Sequence, residues 1–169
     1  MSIVLYVWKI GTDGNPGHAS LQVGSTYMSY WPQSPAGKND IKLGQTHAAV
    51  FPSSYRVDVR LEGKDSHACR PLQGLDEQAM AAAWSAFTQN PARYNMVSHN
   101  CSTVIASMLQ IGSKVAPSFV SRIGIDDHTS NMATRLFLRL RFLSSSIRMW
   151  TPDALLRYAD EIQRRLSTR

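Results

Sequence analysis

Two short segments carry the residues able to do chemistry: GHASL, with His18 after Gly17, and HNCSTVIASMLQIG, with Cys101 after Asn100. A thiol becomes a strong nucleophile only as the thiolate, and a cysteine at a helix N-terminus beside an imidazole has its pKa lowered by both neighbours. Asn100 is a good N-cap type, and Cys101, Val104, Ile105, Met108 and Leu109 recur at helical spacing. Cys101 is therefore expected to open a helix whose apolar face is buried and whose C-cap is Gly112. The chemistry that follows is attack of Cys101 on a carbonyl carbon, with the Cys101 backbone N–H helping to hold the oxyanion. His18 would then protonate the leaving group and activate water or another acceptor, by way of a thioester. Read singly, Cys101 also fits a buried structural thiol, and His18 a polar strand end. Their combination favours an enzyme.

The elements that must position this pair can be read from pattern. Residues 2–10 form an apolar, β-prone run, and GTDGNPG supplies turn chemistry before a second strand, HASLQV. Gly24-Ser25 turns the chain into a third strand, TYMSYWP, which Pro32 helps to end. With Val23 opposite Thr26, His18, Ser20 and Gln22 share a face with Tyr27, Ser29 and Trp31. Residues 33–50 read as a loop. In SYRVDVRLEG, Tyr55, Val57, Val59 and Leu61 alternate with charged residues, the pattern of a half-buried strand. Met80, Trp84 and Phe87 mark an amphipathic helix over 75–90. Residues 130–143 mix Arg with Leu and Phe at helical spacing, and Thr151-Pro152 opens a last helix with Leu155, Leu156, Tyr158, Ala159 and Ile162 as its buried stripe. The class is α+β.

The chain has 169 residues, of which 43% are hydrophobic. That suits one domain over 1–169 with a sizeable core. The net charge of +6 comes from scattered Lys and Arg, which predicts weak attraction to anionic surfaces and no specific nucleic-acid site. Two cysteines, Cys69 and Cys101, are too few for a disulfide scaffold and are expected as free thiols. The N-terminus does not read as a signal peptide, and no apolar run reaches the roughly 18 to 20 residues needed to span a bilayer.

The ordered motifs GHASL at 17–21 and NCSTVIASML at 100–109 resemble the circularly permuted branch of the papain-like superfamily. That branch is related to NlpC-type cell-wall peptidases and the lecithin–retinol acyltransferase group. There the histidine strand precedes the cysteine helix. The resemblance runs from about His18 to Leu109, and the C-terminal TPDALLRYADEI is similar to closing helices of some bacterial secretion effectors and toxins. It implies an antiparallel sheet packed against helices, with Cys101 and His18 catalytic and no cofactor or metal. It also implies a third polar residue on the following strand to orient the histidine. By offset this falls near Ser29 or Tyr30, with Ser29 the candidate; Gln22 or an acid such as Asp58 would be substitutes, and a bare dyad is permitted. Tyr27, Trp31 and Asn100 are candidate cleft residues, the two aromatics fitting the core equally well.

The function implied is hydrolysis of an amide bond in a peptide or peptidoglycan peptide. Acyl transfer and thioester hydrolysis are alternatives, because they use the same thioester. The resemblance further implies synthesis in a bacterial cytoplasm and export by dedicated secretion machinery, with an immunity protein as a further partner. Two readings of another class compete. His67-x-Cys69 and His99-x-Cys101 supply zinc ligand types, at gaps shorter than the usual two to four or so residues. Alternatively, the basic 135–148 segment docks on a membrane or a partner without catalysis.

Overall fold

Ile3, Leu5 and Val7 alternate with Val4 and Tyr6, and this period of two forms strand β1 (Ile3–Trp8), with the first set fully buried. A computed structural model of the chain describes residues 3–11, 15–34, 45–124, 139 and 146–168. Strand β2 (His18–Val23) pairs antiparallel with β1 from Trp8↔His18 to Ile3↔Val23. Gly24, at φ 53°, makes the turn into β3 (Thr26–Met28), and Val23 pairs with Thr26 as the turn spacing predicts. Four further short strands follow: β4 (Trp31–Pro32), β5 (Thr46–His47), β6 (Ala49–Val50) and then β7 (Ala68–Leu72). Strand β7 flanks β1, so the main sheet runs β3-β2-β1-β7. β4 pairs with β6, β5 with β8 (Tyr94–Asn95), and β9 (Arg122–Gly124) with β10 (Ser146–Arg148).

β2 is buried on both faces, and the two faces differ in kind. Ala19, Leu21 and Val23 belong to the apolar core, whereas His18 and Ser20 are buried polar residues. Because side chains alternate across a strand, one element serves as core wall and as platform for the polar site.

Four helices complete the described fold. Helix α1 spans Tyr55–Glu62 and ends on Gly63 at φ 72°. Helix α2 spans Glu77–Gln89, with the Asp76 side chain accepting from the Ala79 N–H at 2.9 Å. Helix α3 spans Cys101–Ser113, and α4 Pro152–Ser167. α3 packs against β2, α2 and α4. Its Val104, Ile105, Met108 and Leu109 lie in the core with Leu155, Tyr158, Ala159 and Ile162 of α4. Each aliphatic side chain so buried contributes roughly 1.5–3 kcal/mol. The Tyr158 hydroxyl donates to the Val115 carbonyl, and Glu161 accepts from the Ser118 N–H at 3.2 Å, so α4 also fixes the chain leaving α3.

Several elements depart from pattern-based expectation. Residues 55–62 are a helix, not a strand, and the only residue of α1 that is fully buried is Asp58. Leu61, expected on a buried face, is 53% exposed. The apolar alternation there does not track burial; a buried carboxylate does. The 33–50 stretch contains β5 and β6 beside residues outside the description. Helix α3 ends at Lys114, in the left-handed region at φ 57° with its N–H on the Gln110 carbonyl at 2.8 Å. Gly112 is instead a contact glycine, since a Cβ there would lie 2.3 Å from Met80 Sδ on α2. The helix expected over 130–143 falls outside the described residues, apart from Arg139.

Candidate active site

His18 begins β2 because the loop before it is fixed locally. The Asn15 side chain accepts from the Gly17 N–H at 2.9 Å, and Gly17 adopts φ 73°. A Cβ on Gly17 would lie 2.4 Å from the Trp8 carbonyl oxygen and 2.9 Å from the Lys9 carbonyl carbon, both backbone atoms that cannot swing aside. Gly17→Ala is expected to destabilise the protein by more than about 1 kcal/mol, from both the positive φ and the clash. A denaturant titration against wild type measures it, and an unchanged midpoint would contradict this account of the loop.

The His18 ring is fully buried between two indoles, with centroids 5.4 Å from Trp8 and 4.6 Å from Trp31. Its Nε2 lies 3.1 Å from Asp58 Oδ2. Trp31 Nε1 also lies 3.1 Å from Nε2, but its N–H is closer to Asp58 Oδ1, at 2.8 Å; with that N–H given to the carboxylate, which can only accept, Nε2 is assigned as the protonated nitrogen of the His18–Asp58 pair. Asp58 is itself fully buried and takes three further donors: the Tyr27 hydroxyl at 2.5 Å, the Ser29 hydroxyl at 2.9 Å and Trp31 Nε1 at 2.8 Å. Burial pushes the Asp58 carboxyl up. The hydrogen bond and charge of His18, followed by the Tyr27 and Ser29 hydroxyls, outweigh that and hold it below its ordinary value. A buried carboxylate is tolerable only with partners of this kind. Tyr27 experiences the converse: burial and then the Asp58 charge push its phenol far up.

Cys101 starts α3 behind Asn100, whose Oδ1 accepts from the Thr103 N–H at 2.8 Å as an N-cap does. The Asn100 Nδ2 donates to the Met96 carbonyl at 2.8 Å and to the Trp150 carbonyl at 2.9 Å. Cys101 is 4% exposed and shares a small cleft with Gly17, Tyr94, Asn100, Met149 and Trp150, of about 20 Å³. Since α3 packs on β2 and Gly17 lines the same cleft as Cys101, the His18–Asp58 pair lies close to the thiol. Two phenols lie near Cys101, and the Tyr30 hydroxyl donates to the Ala92 carbonyl at 2.8 Å. Burial first, then the charge of the neighbouring Cys101, push the Tyr94 phenol well up. Tyr30, stacked on Tyr94 with centroids 5.2 Å apart, is pushed up to about 12 by burial and then by Cys101.

The structure thus brings together Cys101, His18 and Ser29, with Ser29 Oγ 3.1 Å from His18 Nε2. Asn100 lines the cleft beside Cys101, whereas Tyr27 and Trp31 are turned onto Asp58 as donors. Asp58, named from sequence only as a substitute for Ser29, is the carboxylate at the centre of the cluster, and it arrives from α1 rather than from the strand after His18. Tyr94 was not singled out from sequence at all; its place seven residues before Cys101 is the one signal that could have found it. The zinc alternative does not assemble. Among the described residues no three His, Cys, Asp or Glu side chains come together as a ligand set, and His67 Nδ1 accepts from the Lys9 N–H at 3.0 Å. Both cysteines are free thiols, Cys69 exposed and Cys101 buried.

The result is an α+β fold with open sheets packed on helices and a cysteine at a helix N-terminus near a buried His–Asp pair, the general arrangement of papain-like cysteine enzymes. No described helix is long and apolar enough to cross a membrane. Comparison with curated proteins and with solved structures finds no match. The family model for the IcsB middle domain matches residues 61–169, which include Cys101 and helices α2 to α4 but neither His18 nor Asp58. With the model covering well over half of its residues, the chain belongs to the IcsB middle domain family.

Proposed function

We propose that this protein is a cysteine hydrolase of the permuted, NlpC-related papain-like group, cleaving an amide bond in a peptide or peptidoglycan peptide, and that residues 1–169 act as one domain. The observation that carries the reading is the buried His18–Asp58 pair held against the helix that Cys101 opens. Because Nε2 is committed to Asp58, His18 exchanges its proton with Cys101 through Nδ1. The Cys101 thiolate attacks the carbonyl carbon, and the Cys101 N–H, with the Tyr94 hydroxyl beside it, faces the developing oxyanion. The imidazolium then gives its Nδ1 proton to the leaving nitrogen as the C–N bond breaks, which leaves a thioester. Water, deprotonated by His18, attacks that thioester, releases the acid and restores the thiolate. Asp58 orients the ring and stabilises the imidazolium, while Ser29, Tyr27 and Trp31 hold Asp58.

Membership of the IcsB middle domain family supports a bacterial secretion-effector setting, with secretion machinery as a partner; an immunity protein would be a further partner if the target is another bacterium. Incubation with peptidoglycan fragments and with peptide mixtures, followed by mass spectrometry, tests the reading. New amine and carboxylate termini should form, together with an acyl adduct on Cys101, and both should vanish in Cys101→Ala. Cleavage that persists in that variant would end the proposal.

Acyl transfer is the second reading, and one observation favours it. A thiol 4% exposed in a cleft of about 20 Å³, with room for about one water, keeps bulk solvent away from the thioester. Added amines discriminate: acylated amine at the expense of free acid would assign transfer.

A further inference from the structure

A second cavity, of about 240 Å³, adjoins the Cys101 cleft and shares Met149 and Trp150 with it as a common wall. Its volume is below the roughly 300 Å³ at which pockets for whole drug-sized ligands begin, so it suits one large side chain of a longer ligand. Phe119, Val120, Met149 and Trp150 make an apolar wall on one part of its surface, and much of the rest is polar. Its polar lining is Arg148 together with the hydroxyl residues Ser98, Thr103 and Ser121. Arg148 on β10 stands directly opposite Arg122 on β9. Like charges at facing positions of an antiparallel pair destabilise it, and no carboxylate among the described residues forms an ion pair with either arginine. A third guanidinium, Arg157 from α4, sits 4.1 Å over the Phe119 ring. Ser121, 8% exposed, also lines the cavity, and its buried hydroxyl has no hydrogen-bond partner among the described residues. Two facing arginines without a carboxylate among the described residues call for an anion, and the Ser121 hydroxyl, able to donate or accept, can give a bound ligand a hydrogen bond.

We infer that this cavity is a substrate subsite for a peptide segment in which a large apolar residue adjoins an anionic one. The apolar side chain lies in the cavity against Val120 and the Phe119–Trp150 ring pair, whose centroids are 5.8 Å apart, and the anion bridges Arg148 and Arg122. Arginine's planar fork favours carboxylate and phosphate alike, so the anion is either an Asp or Glu side chain or a phosphorylated one. The inference rests on the reading of Cys101 as the nucleophile, since the shared wall places the segment next to the reacting carbonyl.

Calorimetric titration of the full chain with three N-acetylated, C-amidated peptides containing Phe-Glu, Phe-phosphoserine or Phe-Gln provides the test. At least one anionic peptide should bind about tenfold more tightly than the Phe-Gln peptide, and whichever of the two binds better identifies the anion. That preference should fall to near unity in Arg148→Gln, with no drop in thermal midpoint, because the substitution also removes a like-charge pair. Equal binding of all three peptides, or a preference that survives in Arg148→Gln and in Arg122→Gln, overturns the subsite. Iodoacetamide labelling of Cys101 separates the two readings. An activated thiol without anion preference sinks the subsite alone, whereas an ordinary thiol with intact preference sinks the nucleophile and leaves the cavity as an anionic-peptide site.

Discussion

Alkylation of Cys101 by iodoacetamide should stay fast down to acidic pH in the wild type and should slow about tenfold at pH 6 in His18→Ala. The size follows from two opposed effects. An ordinary thiol, with a pKa near 8.5, is only about 0.3% thiolate at pH 6, whereas one lowered by a helix N-terminus and an imidazolium to about 5.5 is mostly thiolate there. That difference alone is roughly 200-fold. A less basic thiolate is also a weaker nucleophile, with a Brønsted coefficient of about 0.4–0.5, and three units of pKa return a factor of roughly 16 to 30. About tenfold survives. The pH profile is the sharper signature, since the wild-type rate should level off well below pH 7 and the variant should keep climbing beyond pH 8. Mass spectrometry locates the label, and Cys69, an exposed thiol on an edge strand, serves as the internal control. Superposable profiles for Cys101 in the two proteins would remove His18 from the mechanism.

Asp58→Asn should reduce acylation of Cys101 by an activated ester, such as p-nitrophenyl acetate, by about a thousandfold or more. In the wild type every donor around Asp58 meets an acceptor-only carboxylate. An amide group must turn its NH₂ toward one pair of these donors. Facing the Trp31 N–H, which can only donate, is the worse choice, so the NH₂ faces Tyr27 and His18 Nε2. Nε2 then becomes an acceptor, the ring proton moves to Nδ1, and neutral His18 has no lone pair left for the thiol. The corresponding exchange in serine proteases lowers kcat by about 10⁴ through the same loss of tautomer. Asp58→Ala is a poorer test, because it strips a buried imidazole, two hydroxyls and an indole of their acceptor and should cost about 3–5 kcal/mol of stability.

The same carboxylate makes stability depend on pH in a definite direction. Its folded pKa is lower than its unfolded one, so its contribution is complete above the ordinary carboxylate value of about 4 and is lost as pH falls from there toward the folded value. Denaturant midpoints should therefore drop in the wild type below about pH 4, and the gap to Asp58→Asn should close over the same interval. A constant gap would mean that Asp58 is not held ionised by its donors.

His18, Cys101 and Asn100 were legible because local rules act on them. A glycine was needed where the backbone of residues 8–10 comes close, an amide was needed to cap α3, and a two-residue turn set the β2–β3 register that puts Ser29 and Trp31 beside His18. Asp58 was obscured because α1 is short and mostly exposed, so its hydrophobic pattern says little about its fold. Eight residues alternating apolar and charged fit a strand template, but the decisive interaction is long-range: a carboxylate drawn into a pocket of donors contributed by β2, β3 and β4. Tyr94 was hidden for a similar reason. The two-residue strand β8 has no periodicity to read, and only the folded chain carries its hydroxyl to Cys101.

The Asn100 side chain has a bearing on how the protein ages. Its Nδ2 ties the Trp150 carbonyl to the start of α3, and residues 149–152 line the cleft beside Cys101. This hydrogen bond contributes only about 1 kcal/mol, beside the Met149 N–H on the Ser121 carbonyl and the Trp150 ring against Phe119 and Tyr158, and whatever admits a substrate also admits peroxide. A thiolate is the form that oxidises, first reversibly to the sulfenic acid and then beyond recovery. Preparations kept without a reductant should thus lose labelling at Cys101 gradually and without unfolding, and Asn100→Ala should shorten that lifetime.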